Sequence, residues 1–296
     1  MKRILITGAG GLLGKELSGH LKSQFEVIQL THQDIEIADP ESIHAQLETH
    51  RPDIVINCAA ILNINFCEQN PAKCYAVNRD GIKNILEALI ELKKPTIVVQ
   101  ISTSEVFGGT FQNCKVEGYK ENDDRQPISA YQKAKKEAED LIQEIASAHP
   151  ETFLKWFIVR TGWLYGRGRQ TFVDRFINDL KEKNELSVIQ DQWRSPTWTH
   201  DFAEGLNNLL GGNYASGIFH LVNEVNAGEA TTLDVLKLIA NHLKIPMEKF
   251  RLTFVNQDKF FKVPRAPSNV LLNTKLPKLP HWRVSLQKYL EKYYSL

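Results

Sequence analysis

The chain has 296 residues, 42% of them hydrophobic and 24% charged, with a formal net charge of +1. That length suffices for one large or two modest cores, and the composition is that of an ordinary soluble enzyme. The neutral balance implies neither a nucleic-acid footprint nor an acidic tail, and basic residues gather only in short groups such as Lys133, Lys135 and Lys136. No apolar run reaches membrane-spanning length, and the N-terminal run is too short for the core of a signal peptide. Cys58, Cys67, Cys74 and Cys114 show no C-x-x-C spacing, so reduced thiols are expected rather than disulfides or a zinc site. The expectation is a cytoplasmic protein with no metal and no membrane or nucleic-acid partner.

Ile4, Leu5 and Ile6 form an apolar, β-branched run suited to a strand buried on both faces. Thr7 and Gly8 end it, and Leu12, Leu13, Leu17 and Leu21 recur at helical spacing, so a helix starts near Gly11. The three glycines between them answer separate needs. Gly8 permits a tight turn, Gly11 lets a pyrophosphate approach the backbone, and Gly14 lets the helix lie close on the sheet. Free N–H groups at a helix start favour phosphate, so this stretch, with Leu12 and Leu13, predicts a dinucleotide site. A second strand covers 26–30. Its tip, Leu30-Thr31-His32-Gln33, offers no acidic residue to bond an adenosine ribose and repel a 2′-phosphate. That leaves NADH and NADPH both open, leaning to NADPH, with His32 either facing the phosphate or simply solvated.

Asp39-Pro40-Glu41-Ser42 starts a helix, Asp39 as cap and Pro40 in its first turn. A buried strand at 54–57 runs into Cys58-Ala59-Ala60, whose small side chains suit a flat ring or ribose. One helical stretch is predicted over about 70–92, then a strand over 97–101 that ends in Ser102-Thr103-Ser104-Glu105. The Gly-, Asn- and Asp-rich loop over 109–127 is long enough to cover a site. A helix follows from Ser129 to about Ala148, and 153–160 is strand-like. This alternation predicts an α/β fold with a doubly wound parallel sheet of the Rossmann type. Beyond Thr161 glycines and tryptophans mark a change of texture, with helices over 171–184, 199–210 and 231–243, strands over 186–189 and 217–221, and a terminal helix after Pro277. We expect a cofactor-binding domain over 1–162 and a smaller substrate-binding lobe over 163–296, with segments near 186–222 rejoining the sheet.

Tyr131 and Lys135 stand four apart, on one face of a helix. An ammonium beside a phenol favours phenolate and draws a tyrosine pKa down from ~10. Such a phenol exchanges a proton with a carbonyl or alcohol oxygen while hydride moves to or from a nicotinamide ring. Lys135 would also bond the nicotinamide ribose, and Thr103 would bond the same substrate oxygen. Ser102 is a weaker candidate, because neighbours on a strand point opposite ways.

The stretches GAGGLLG, RPDIVINCAA, STSEVF, YQKAK, RTGWLYG, DQWRSPTWTHDFA, PRAPSNVLLNTKL and LPHWRVSLQKYL occur together. With them the chain resembles, over nearly its whole length, the extended short-chain dehydrogenase/reductases that act on nucleotide sugars, above all the dTDP-4-dehydrorhamnose reductase family. The resemblance implies Tyr131 as proton donor, Lys135 as its tuner and Thr103 as hydroxyl partner. It sets Glu36 and Ile37 beside the adenine, Ala59, Ala60 and Leu62 along the ribose and nicotinamide, and Trp163 against the substrate. It also implies NADPH or NADH as cofactor and a nucleotide-linked 4-keto-6-deoxy sugar as substrate, and it allows a homodimer.

The departures from the family pattern keep other readings open. Ser104 and Glu105 stand where these reductases usually have Asp then Tyr, and Leu62 and Asn65 where they have Thr and Asp. T-S-E-V-F-G instead resembles sugar-nucleotide 4,6-dehydratases and UDP-glucuronate decarboxylases, whose glutamate does acid/base work. Arg194 replaces a usual glycine, and an arginine there resembles the diphosphate holder of epimerase-like relatives, a role that suits a guanidinium; Arg265 would join it. One alternative is therefore a dehydratase, epimerase or decarboxylase with tightly bound NAD. Another is a non-catalytic, cofactor-binding regulatory subunit like the β subunit of methionine adenosyltransferase, against which the intact Thr103, Tyr131 and Lys135 argue.

Overall fold

Ile4, Leu5 and Ile6 lie in strand β1 (Arg3–Thr7), each at most 1% exposed. The computed structural model describes residues 1–294. Strands β2 (Glu26–Leu30), β3 (Ile54–Asn57), β4 (Thr96–Thr103) and β5 (Phe153–Thr161) follow, joined through helices α1 (Leu12–Leu21), α2 (Pro40–His50), α3 (Ile64–Gln69), α4 (Pro71–Tyr75), α5 (Gly81–Glu91) and α6 (Ala130–Ala148). The chain continues through β6 (Leu164–Tyr165), α7 (Phe172–Glu182), β7 (Glu185–Ile189), β8 (Thr197–Trp198), α8 (Thr199–Gly211) and β9 (Gly217–His220). It ends with β10 (Asn223–Glu224), α9 (Thr232–His242), β11 (Arg251–Val255), α10 (Gln257–Phe260), β12 (Leu279–His281) and α11 (Trp282–Tyr293). The last two residues of the expected terminal helix, 295 and 296, lie outside the described residues.

A six-stranded parallel sheet of order β2-β1-β3-β4-β5-β9 forms the centre. Strand order reverses between β1 and β3, and such a switch point opens a crevice beyond the carboxyl ends of the strands. Apolar side chains fill both faces. Ile4 and Ile6 pack with α1 and α8, whereas Leu5 packs with α2, α5 and α6. A second core joins α7, α9 and α11 around the fully buried Trp282 and Tyr289. Of the stretch near 186–222, β9 joins the central sheet, but β7 does not rejoin it. It pairs in parallel with β11, because its buried Leu186 and Val188 face the second core.

The helix expected over 70–92 runs without a break from Pro71 to Glu91, with one widened turn inside it. Asn63 caps α3 through its side chain, which accepts from the Phe66 N–H, and Pro71 starts α4 because proline favours a first turn. Residues Ala76–Asp80 then form a π-helical turn before α5. That wide turn aims Asn78 at the backbone of Ile61, where its carbonyl oxygen accepts from the Ile61 N–H at 2.8 Å and its amide donates to the Ile61 carbonyl at 3.0 Å. The loop over 109–127 does not cover the crevice. Tyr119 bridges to Leu271, Arg125 reaches the carboxylates of Glu139 and Asp140, and Glu121 accepts from Thr274. Its hydrogen bonds run to the C-terminal segment and the outer side of α6.

Those bonds end at a buried group of charges. Glu139, 0% exposed, accepts from Arg160, 1% exposed, at 2.9 and 2.6 Å, from Ser102 at 2.5 Å and from Arg125 at 3.0 Å. Arg160 also donates to the Glu121 carbonyl at 3.0 Å and lies over the Phe107 ring. His220 donates from Nδ1 to the Leu272 carbonyl at 3.0 Å, which leaves Nε2 facing Arg160. Burial first, and then the Arg160 charge, pull its pKa down to about 4. Ser102 thus points away from the crevice, as strand alternation requires. Among the described residues no helix is long and apolar enough to cross a membrane.

Candidate active site

Apart from Ser102, whose side chain turns to Glu139, the candidate residues named from the sequence line one cleft of about 1440 Å³ at the carboxyl ends of the strands. The turn after β1 forms its floor. Gly8 holds φ +65°, and a Cβ there would come within 2.8 Å of the Ala59 nitrogen, so β1 and the strand end at Cys58-Ala59 approach as only glycine allows. A Cβ on Gly14 would collide with the Gly8 carbonyl oxygen. Gly14→Val is therefore expected to lose cofactor affinity by tenfold or more and to cost roughly 1–3 kcal/mol through overpacking. Isothermal titration with NADPH and a denaturant melt check both.

Beneath the cleft a buried polar row sets the strand ends. Thr7 donates to Asn57 Oδ1 at 2.6 Å, the Asn57 side-chain amide donates to Gln100 Oε1 at 2.8 Å, and the Ala59 N–H donates to Asn57 Oδ1 at 3.2 Å. Gly11 caps α1, whose first N–H groups have no acceptor within the helix. That cradle fits a cofactor diphosphate. Ile37 is buried and Glu36 exposed beside it, Ala59 and Ala60 are half-buried, and Leu62 is 62% exposed on the rim. The expectation that no acid stands at the tip of β2 needs correction. Asp34 folds back there, accepting from the Thr31 N–H and hydroxyl at 2.8 and 2.7 Å, and these bonds hold its carboxyl below the usual range. His32 and Gln33 line the cleft beside it.

The catalytic candidates meet at the other end. Ser129 and Gln132 form a capping box that fixes the start of α6, and Tyr131 and Lys135 leave its first turns into the cleft. Both are buried, at 5% and 2% exposure. The Thr103 hydroxyl lies beside the Tyr131 phenol. Lys135 donates to the Ile101 carbonyl at 2.8 Å, and burial pulls its pKa down to about 8. The expected lowering of the Tyr131 pKa by Lys135 does not occur here. Burial, with Glu105 adding to it, raises that pKa, and the Thr103 hydroxyl opposes them only in part. The ammonium spends its hydrogen bond on the backbone instead.

Trp163 stacks on Phe172 at 3.8 Å between ring centres, so it serves the second core and the cleft wall together. Arg194 is buried and donates to the Ala266 carbonyl at 3.0 Å. Burial lowers its pKa, the Arg265 charge adds to that, and the Glu105 charge works against it. Ser104 is buried, and Glu105 lies half-buried between Tyr131 and the two arginines. The sequence reading missed Gln132 and Asn269, which both bond Glu105. Gln132 was legible as the last residue of S-x-x-Q before a helix. Asn269 was not, since it lies 164 positions from its partner.

The family profile described as the RmlD substrate binding domain matches residues 1–295. The spore coat polysaccharide biosynthesis protein SpsK of Bacillus subtilis is 33% identical, over 99% of this chain and 98% of its own. A solved dTDP-4-dehydrorhamnose reductase from Clostridium acetobutylicum superposes with a TM-score of 0.85 at 32% identity, covering 99% of each chain. One from Bacillus anthracis, in complex with NADP, superposes with a TM-score of 0.85 at 27% identity, covering 98% of this chain and 99% of its own.

Proposed function

This chain belongs to the RmlD substrate binding domain family, and from that premise we propose that it is an NAD(P)H-dependent reductase of a dTDP-linked 4-keto-6-deoxy sugar. The observation that carries the reading is the convergence of Thr103, Tyr131 and Lys135 in the cleft floored by the glycine turn. A nicotinamide cofactor bound on that turn would supply the hydride. Tyr131 gives its proton to the oxygen at C4, and Thr103 holds that oxygen in line with the phenol. A phenol whose pKa is raised stays protonated at neutral pH, which suits a donor in the reducing direction. Lys135, in the same cleft, is placed to bond the nicotinamide ribose. Arg194 and Arg265 supply the positive charge for the substrate diphosphate, and Trp163 gives a flat wall beside the sugar. In this reading residues 1–162 serve the cofactor and 163–296 the substrate. The four free cysteines suit a reducing compartment, which supports a cytoplasmic location.

Purified chain mixed with NADPH and dTDP-4-dehydrorhamnose should consume NADPH in step with sugar reduction. The free enzyme needs Lys135 charged, so kcat/KM should fall as pH rises through about 8, where that ammonium loses its proton. Turnover of dTDP-glucose on a stoichiometric NAD that survives dialysis, with no NADPH consumed, would overturn the reading in favour of a dehydratase.

A further inference from the structure

Glu105 sits in the cleft, yet each of its carboxylate oxygens is already held. The Gln132 amide donates to Oε2 at 2.8 Å and the Asn269 amide to Oε1 at 2.8 Å. An ionised carboxylate only accepts, so it decides which way round both amides stand. The Gln132 carbonyl oxygen is left to accept from the N–H groups of Ile128 and Ser129, at 2.7 and 3.2 Å, which closes the cap of α6. The Glu105 backbone N–H donates to the Thr103 hydroxyl oxygen at 3.1 Å. One residue therefore ties together the end of β4, the first turn of α6 and the C-terminal segment. Those pieces carry Thr103, Tyr131 and Arg265 respectively. Its charge also offsets the repulsion between Arg194 and Arg265.

We propose that Glu105 is a positioning residue that sets Tyr131, Thr103 and the arginine-bearing segment against one another, and that it passes no proton to or from the sugar. The kinetic part rests on the reductase reading above. The mechanical part does not.

Glu105→Gln places an N–H group against one of the two amides, so only one tether keeps an acceptor. Hydrogen–deuterium exchange on the NADPH-bound protein should quicken by about tenfold over residues 128–135, 266–272 or both, as loss of a charge-assisted hydrogen bond implies. Asn269→Ala, which leaves the α6 cap intact, should quicken exchange over 266–272 alone. In the reductase assay Glu105→Gln should lower kcat on the order of tenfold with little change in KM, and the fall in kcat/KM above pH 8 should remain. Adding Gln132→Ala should slow it no further than the worse single change. Unchanged exchange in both segments overturns the proposal. So does a loss of 10²- to 10⁴-fold with an altered pH profile, the mark of a proton-transferring group, or a multiplying double variant. A parent chain that leaves the keto sugar untouched defeats the reductase reading instead, and the exchange results still decide the tether.

Discussion

Tyr131→Phe is expected to lower turnover by roughly 10²- to 10⁴-fold, the range for removal of a general acid, while NADPH binds as tightly as before. The phenol lies beside the Thr103 hydroxyl, and burial keeps it protonated at neutral pH and able to donate. Phenylalanine keeps the ring, and with it the contacts to Ile64, Cys67 and Ala134 in the small core beneath. A structural loss is therefore small and the chemical loss large. The Lys135 bond to the Ile101 carbonyl does not involve the phenol, so the ribose side of the cleft stays as it is. Stopped-flow rates from NADPH absorbance, set beside the NADPH dissociation constant from fluorescence quenching, separate the two effects. Turnover within about threefold of the parent would remove Tyr131 from the mechanism.

Arg160→Met should cost ~3–5 kcal/mol of stability, because it strands the Glu139 carboxylate at 0% exposure with its strongest partner gone. The Glu139→Met, Arg160→Met pair should recover much of that loss, since no lone charge is then buried. Urea melts of the parent, the single and the double variants test the order. The same network gives the fold an acid limit. His220 is neutral when folded, with its pKa near 4 against an unfolded value of ~6.5. A depressed folded value means that this contribution is complete above about pH 6.5 and drains away as pH falls through 4, by ~3 kcal/mol in all. Part of the depression comes from Arg160, so the Met variant, though weaker at neutral pH, should show a shallower decline in acid.

Much of this arrangement could be read from the residues alone. The glycine turn follows from local spacing, the Tyr131–Lys135 pair from helical period, and the sheet from the alternation of buried strands with amphipathic helices. What stayed hidden depends on distant partners. The loop over 109–127 is led off the cleft by Arg125 and Glu121, whose partners lie on α6 and past residue 270. The direction of the Tyr131 shift turns on burial and the Glu105 charge, while the ammonium expected to oppose them bonds the Ile101 carbonyl instead. Asp34 was visible in the sequence, but its fold back onto Thr31 is a turn that strand patterning does not encode.

The five-residue turn around Asn78 has a consequence for how this chain tolerates length changes. A π turn carries more residues per revolution than the helix on either side. Deleting one residue would let the coil run straight through and swing Asn78 about 100° around the axis. The peg on Ile61 would then come free, and the rim that ends at Leu62 would lose its anchor. Deletions over 76–80 should thus be far rarer among viable sequences than substitutions there, although no residue in that interval is among those assigned to the chemistry.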